Sequence, residues 1–124
     1  MDKIIVKGLK LFCYHGVNPE EKEDGQNFIF DIEAGVDINT PCMTDNVDDT
    51  VSYAKIIKTV RRVAQSEKND LLERVAQRVA DELFTEFDKI TSLVITLKKP
   101  EAPIKADFDY VAVTIERSRK WKHI

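Results

Sequence analysis

The 124-residue sequence is poor in cysteine and histidine, with only two of each. Cys13 and Cys42 lie in dissimilar contexts and lack the CxxC spacing of a redox or metal site, so we expect two reduced thiols. His15 and His123 are too few to form a multi-histidine zinc site within one chain. We therefore expect chemistry that uses neither a metal nor another cofactor.

An excess of basic charge and a long apolar run are also missing. The chain has 19 Lys and Arg against 22 Asp and Glu, a net charge of −3, which argues against a nucleic-acid partner. Charged residues follow Met1 directly, without the apolar segment of a signal peptide or membrane span, so we expect a cytoplasmic protein without a membrane partner. The basic run from Arg117 to His123 predicts a solvated tail with Trp121 packed back.

Apolar spacing, by contrast, is well defined. The composition, 43% hydrophobic and 33% charged, predicts one compact domain over residues 1–124. The run from Ile4 to Cys13 predicts a strand with a bulge at Gly8. Strict alternation from Phe28 to Ile38 predicts a second strand that is covered on one face.

Two helices and two further strands follow. Ser52 is a plausible N-cap for a helix that begins at Tyr53 and ends near Glu67, and Asn69 for a second helix with an apolar stripe. That stripe is predicted to comprise Leu71, Leu72, Val75, Ala76, Val79, Ala80, Leu83, Phe84 and Phe87. The runs 93–99 and 110–117 predict the last two strands.

This order of elements predicts an α+β fold, a two-layer sandwich in which two helices cover one face of an antiparallel four-stranded sheet (ββααββ). The edge strands of such a sheet are open to pairing with other chains, and little in the sequence blunts them. We therefore expect other subunits of a homo-oligomer to close the edges.

Lys99 is the most informative single residue. Counting by twos, it shares a face with Leu93, Ile95 and Leu97, whereas Lys98 falls on the opposite face. An amine removed from water loses basicity from about 10.4 toward neutrality, where it exchanges protons readily. Lys99 is therefore a candidate acid/base, and the alternative is a lysine that extends into water at a strand end.

Three other positions are candidates with simpler alternatives. Tyr53 opens the first helix, where packing is the default and contact with a neighbouring pocket the alternative. Glu73 lies in the first turn of the second helix, where the helix dipole favours its ionised form and two hydrogen bonds to a guanine-like or pterin-like edge are possible. Leu72 keeps Glu73 close to the sheet margin.

The loop from Tyr14 to Gln26 joins the first two strands. It is too long for a tight hairpin, so it has another purpose or contains a short helix. His15 is either a base or ligand or, more commonly at a strand exit, part of a hydrogen-bonded turn. The segment from Thr44 to Ser52 is rich in Asp, Asn and Thr, which indicates turn and cap chemistry.

Taken together, these blocks resemble the dihydroneopterin aldolase family of tunnelling-fold enzymes, which act on pterins and purines. The resemblance is collinear over nearly the whole chain. Its blocks are Tyr14-His15-Gly16 with Glu20-Glu21 and Gly25-Gln26, Thr44-Asp45-Asn46 to Thr50-Val51-Ser52-Tyr53, Asn69-Asp70-Leu71-Leu72-Glu73, Lys99-Pro100, and Phe108-Asp109-Tyr110-Val111-Ala112-Val113.

The resemblance implies a role for each site residue. Lys99 would be the catalytic acid/base, with Glu21 helping to position it or a bound water. Glu73, with Leu72 and the backbone near Val51, would anchor the pterin, and Tyr53 would arrive from an adjacent subunit as a second proton donor. The family assembles rings of four that close a barrel and stack into an octamer.

The implied activity is metal-independent cleavage of 7,8-dihydroneopterin in folate biosynthesis, with 2′-epimerisation as a side reaction. The alternatives are an epimerase of dihydroneopterin triphosphate and a non-catalytic module that binds pterins or purines. The chain departs from the family pattern at Cys13, at Asn18 and over residues 105–107, and these departures bear on the preferred substrate side chain.

Overall fold

The computed structural model describes residues 1–119, which form one antiparallel sheet and the helices around it. In chain order the elements are β1 (Lys3–Cys13), α1 (Pro19–Asp24), β2 (Gln26–Val36), α2 (Asn39–Thr44), a 3-10 turn (Val47–Asp49), α3 (Tyr53–Ser66), α4 (Leu72–Glu86), β3 (Ile90–Lys99) and β4 (Val111–Ser118).

The sheet has the order β1-β2-β3-β4, and each neighbouring pair is antiparallel. Alternate residues of β2 are fully buried, beginning with Phe28, Phe30 and Ile32, and they face the apolar stripes of α3 and α4. Ile56, Val60, Val79 and Leu83 are fully buried on the helix side. The α+β arrangement predicted from the spacing, with ββααββ as its main order, is therefore confirmed.

The bulge predicted at Gly8 is present. The pairing of β1 with β2 shifts between Val6 and Leu9, and Gly8 has φ +73°, a conformation that glycine adopts without a steric penalty. The freed N–H of Gly8 donates to Oδ1 of Asp31 over 2.7 Å. The backbone N–H that the bulge leaves unpaired in β1 is thereby hydrogen-bonded to a carboxylate from the neighbouring strand.

Two short helices extend the predicted list. α1 lies in the loop between β1 and β2, which confirms a short helix there. α2 was not predicted, because its six residues, Asn39 to Thr44, carry no apolar period. The polar segment after α2 provides caps as expected, since Asn46 accepts from the Asp48 N–H and Ser52 accepts from the Lys55 N–H.

The start of α4 corrects two predictions. Its N-cap is Leu71 rather than Asn69, and Leu71 is 52% exposed instead of belonging to the buried stripe. The reason is tertiary: the Asn69 N–H donates to His15 and its carbonyl accepts from the Gly16 N–H. These contacts fix the backbone before Leu71, and the helix begins beyond them.

The basic C-terminal run is only partly described. Arg117 and Ser118 belong to β4, and Arg119 donates to the carbonyls of Phe84 and Phe87 at the end of α4 and of Ile90 at the start of β3. A solvated tail is therefore wrong for residues 117–119. The remainder of the predicted tail, including Trp121, lies outside the described residues.

Cys13 is buried, Cys42 is exposed, and both are free thiols. Within residues 1–119, no helix combines the length and the apolar character needed to cross a membrane.

Candidate active site

Lys99 ends β3 on the face that the spacing predicts. Leu93, Ile95 and Leu97 are buried against the helices, and the Lys99 side chain, only 12% exposed, forms an ion pair with Glu21 of α1. Lys98 points the other way and pairs with Asp31 over 3.0 Å on the opposite face of the sheet. Two adjacent lysines are thus placed in different environments.

Glu21 is the buried partner of Lys99. Its side chain is 8% exposed, and it accepts hydrogen bonds from the Asn18 N–H at 3.3 Å and from Nε2 of Gln26 at 3.0 Å, in addition to the Lys99 ion pair. Burial alone would raise the pKa of the Glu21 carboxyl group. The hydrogen bonds from Lys99, Gln26 and Asn18 outweigh burial and hold the pKa below its usual 4.5.

Gly16 provides the space for this carboxylate. A Cβ atom at Gly16 would lie 2.3 to 2.6 Å from the carboxyl atoms of Glu21, far inside van der Waals contact. The Gly16 carbonyl accepts from Nζ of Lys22 at 2.6 Å, and Lys22 also pairs with Asp70. The Tyr-His-Gly segment therefore packs its backbone directly against the Lys99–Glu21 pair.

His15 connects this backbone to the helices. Its ring is fully buried, Nδ1 accepts from the Asn69 N–H at 3.1 Å, and Nε2 lies 2.8 Å from the Ala64 carbonyl oxygen, to which it donates. Both ring nitrogens are therefore used within the fold by a neutral imidazole. Of the two roles open from the sequence, these contacts support the hydrogen-bonded turn.

This arrangement predicts a loss of stability in mild acid. In the folded protein, burial holds the pKa of His15 below its usual 6.5. As the pH falls below 6.5, His15 is therefore protonated in the unfolded chain before it is protonated in the folded one. We expect the free energy of unfolding to be maximal above pH 6.5 and to fall as the pH drops from there toward the lowered pKa. Urea unfolding from pH 8 to pH 5 measures this slope.

The matched variant is His15→Gln. It is expected to lose about 1–3 kcal/mol at pH 8 and to show a flatter slope between pH 6.5 and 5. His123→Gln reports what share of the slope comes from the other histidine in the sequence. An unchanged slope in His15→Gln would show that another group controls acid stability.

Glu73 and Leu72 lie at the same end of the folded protomer as Lys99. They open α4, and the segment just before α4 is tied to Gly16 and Lys22 through Asn69 and Asp70. Glu73 is exposed in the first turn of α4, and Leu72 is half-buried.

Tyr53 and Val51 lie at the opposite end. Val51 and Ser52 line an open groove of about 860 Å³ together with Phe87 and Lys89, which immediately precede β3. Lys99 is the last residue of the ten-residue β3, so about 30 Å of extended strand separates it from this groove. Tyr53 is 67% exposed, so packing, its default role, is wrong.

One chain therefore brings together Lys99, Glu21 and the start of α4, and it holds Val51 with Tyr53 elsewhere. Sequence reasoning missed Gln26, the buried amide that binds Glu21. A signal was present, because counting back by twos from Phe28 places Gln26 on the apolar face of β2.

Comparisons with known proteins point to one family. The family model for dihydroneopterin aldolase matches residues 4–116. A dihydroneopterin aldolase of Streptococcus pyogenes is 36% identical over 119 residues, which cover 96% of this chain and 100% of the relative. Dihydroneopterin aldolase 1 of Arabidopsis thaliana is 38% identical, covering 95% and 82%.

A solved structure extends the agreement to the fold. The crystal structure of E. coli dihydroneopterin aldolase in complex with neopterin has a TM-score of 0.87 and 35% identity, and the match covers 95% of this chain and 100% of that one. The chain therefore belongs to the dihydroneopterin aldolase family.

Proposed function

We propose that this protein cleaves 7,8-dihydroneopterin by a retro-aldol reaction, giving 6-hydroxymethyl-7,8-dihydropterin and glycolaldehyde for folate biosynthesis. The observation that carries the proposal is the ion pair between Lys99 and Glu21, held almost out of water in a member of this family. Such a pair is suited to exchange protons with a bound substrate.

The substrate supplies its own electron acceptor. The carbon–carbon bond to be broken lies next to the C6=N5 imine of the ring, which takes up the electron pair and becomes an enamine. The protein then has three tasks: to remove the side-chain hydroxyl proton, to protonate the enamine carbon and to hold the ring still. Neither a lysine Schiff base nor a metal is required by this chemistry.

Lys99 is assigned the proton transfers. In its neutral form the Lys99 amine takes the proton of the substrate hydroxyl group, and as an ammonium it returns one to the enamine carbon, while the contact with Glu21 holds it in place. Positioned acid/base catalysis contributes about 10² to 10⁴ in rate, and the fixed orientation of the ring supplies a further part.

Glu73 and Leu72 are assigned to ring binding, with the carboxylate accepting from the amino group and ring N–H of the pterin. Their position beside the Gly16 segment supports this assignment. The bound neopterin of the E. coli relative also supports a pterin ligand. Tyr53, the second proton donor, and the backbone near Val51 are assigned to the adjoining subunit, because they lie far from Lys99 in their own chain.

The proposed assembly is an octamer of two stacked tetrameric rings. Within the described residues, β1 and β4 each pair with a single neighbour, so both outer edges of the sheet are free to join other subunits into a barrel. Such joining places residues of one protomer beside residues of the next.

The same enamine also explains a side reaction. If glycolaldehyde rotates to present its other face before it leaves, re-formation of the carbon–carbon bond yields the 2′-epimer of the substrate. We therefore include 2′-epimerase activity in the proposal as a minor product of the same site.

The test is glycolaldehyde release from 7,8-dihydroneopterin by the purified wild-type protein. We expect release to proceed unchanged after prolonged dialysis against EDTA. Dihydroneopterin triphosphate, offered in parallel, is expected to give less product. Absence of release from the free pterin, or activity restored only by added metal, would contradict the proposal.

A further inference from the structure

Gln26 carries the one buried side-chain polar atom without a hydrogen-bond partner in the described part of the chain. The side chain is 8% exposed, its Nε2 donates to Oε2 of Glu21 at 3.0 Å, and its Oε1 is enclosed without a donor. A buried acceptor left unpaired destabilises a fold by about 1–3 kcal/mol. An amide that binds at one end only is therefore expected to serve a purpose beside the Lys99–Glu21 pair.

The enclosure of Oε1 is complete within one chain. Because this atom has almost no accessible surface in the isolated protomer, neither bulk water nor a neighbouring subunit reaches it. The remaining group with which Gln26 can form a hydrogen bond is Glu21, whose Oε2 atom contacts both Gln26 and Lys99.

A carboxyl group needs different partners in its two protonation states. As a carboxylate, Glu21 accepts from an N–H, whereas a protonated Glu21 donates its own O–H to an acceptor. Half a turn of the Gln26 amide exchanges Nε2 for Oε1. Since Oε1 has no partner to lose among residues 1–119, this rotation keeps the number of hydrogen bonds constant.

We propose that Gln26 is a positioning residue whose amide holds Glu21 in both of its protonation states by rotating half a turn about its terminal bond. A proton that moves from the Lys99 ammonium to the Glu21 carboxylate leaves a neutral amine and a neutral carboxyl group. That amine is then free to take the substrate hydroxyl proton. The inference rests on the proposed function, because it takes this pair as the proton-exchanging group.

Other charged or titratable groups surround the pair and must be separated from it in any test. His15, on the segment that packs against Glu21, interacts electrostatically with Lys99. Lys22, on the same helix as Glu21, donates to the Gly16 carbonyl and pairs with Asp70. The readout must therefore be specific to Glu21.

The variant is Gln26→Met, which keeps the length of the side chain and removes both amide ends. Its matched control is Gln65→Met, because Nε2 of Gln65 also donates over 3.0 Å, but to the Phe12 carbonyl. We expect kcat for glycolaldehyde release to fall about tenfold or more in Gln26→Met, with KM changed less than about twofold, and neither to change in Gln65→Met. The acid limb of the pH profile moves to higher pH in Gln26→Met.

Two measurements on the protein without substrate complete the test. Carboxyl ¹³C titration, with the Glu21 signal assigned through Glu21→Gln, is expected to give a higher midpoint in Gln26→Met than in wild type, because the hydrogen bond from Gln26 to the carboxylate is stronger than the one it accepts from the protonated group. The ¹⁵N side-chain amide signals of Gln26 are expected to move at the Glu21 midpoint. Amide signals that stay stationary through the Glu21 titration would overturn the inference, whereas an inactive wild-type enzyme with both responses intact would overturn only the proposed function.

Discussion

Replacing Lys99 by alanine is expected to slow glycolaldehyde release by about 10² to 10⁴, the range that positioned acid/base groups contribute. The amine is largely removed from water and is held by Glu21 on the helix side of the sheet. A substrate hydroxyl proton then has no acceptor at this position, so the loss falls on kcat more than on KM. Steady-state kinetics with 7,8-dihydroneopterin measure it directly.

The matched control is the neighbouring residue. Lys98→Ala removes the same side chain one position earlier in β3, where it pairs with Asp31 and lies 5.0 Å from the Tyr110 ring centre. This variant is expected to keep kcat within about twofold of wild type, because removing an ion pair outside the reacting centre changes mainly stability. Thermal unfolding of both variants confirms that the fold persists. Equal losses in the two variants would refute the assignment of Lys99.

The placement of Lys98 and Lys99 on opposite faces of the sheet was predictable, because side chains alternate along a strand and Pro100 ends the run. The same rule predicted the buried face of β2, whereas the bulge was predicted from the position of Gly8 inside a strand. The start of α4 was less predictable, since Asn69 has the chemistry of an N-cap but uses its backbone on His15 and Gly16. Such contacts between distant segments leave no local pattern in a sequence.

The candidate site likewise contains residues that the sequence pattern identified and residues that it did not. Glu21 is one of four acidic residues in its loop, and only the resemblance distinguished it, because the closing of the loop onto Lys99 depends on tertiary contacts. The resemblance grouped Val51 with Glu73 and took Tyr53 from another subunit. The structure places Val51 beside Tyr53, because α3 and α4 run in opposite directions and their N-termini lie at different ends of the molecule.

Mixing two inactive variants is therefore expected to restore activity. If a site takes Lys99 from one protomer and Tyr53 from the next, random co-assembly of Lys99→Ala with Tyr53→Ala leaves about a quarter of the sites with both side chains intact. Each variant alone is expected to release little glycolaldehyde. Co-refolding an equimolar mixture from denaturant, followed by the same assay, is expected to recover up to about a quarter of wild-type activity.

A second mixture separates true complementation from a general effect of co-refolding. Lys99 and Glu21 contact each other within one chain, so a site needs both from the same protomer. In a mixture of Lys99→Ala with Glu21→Ala every protomer lacks one of the two, and we expect no recovery. Recovery in both mixtures would mean that subunits exchange whole elements, and recovery in neither would place Tyr53 outside the reacting centre. Recovery in the first mixture alone is the outcome that a site shared between neighbouring protomers requires.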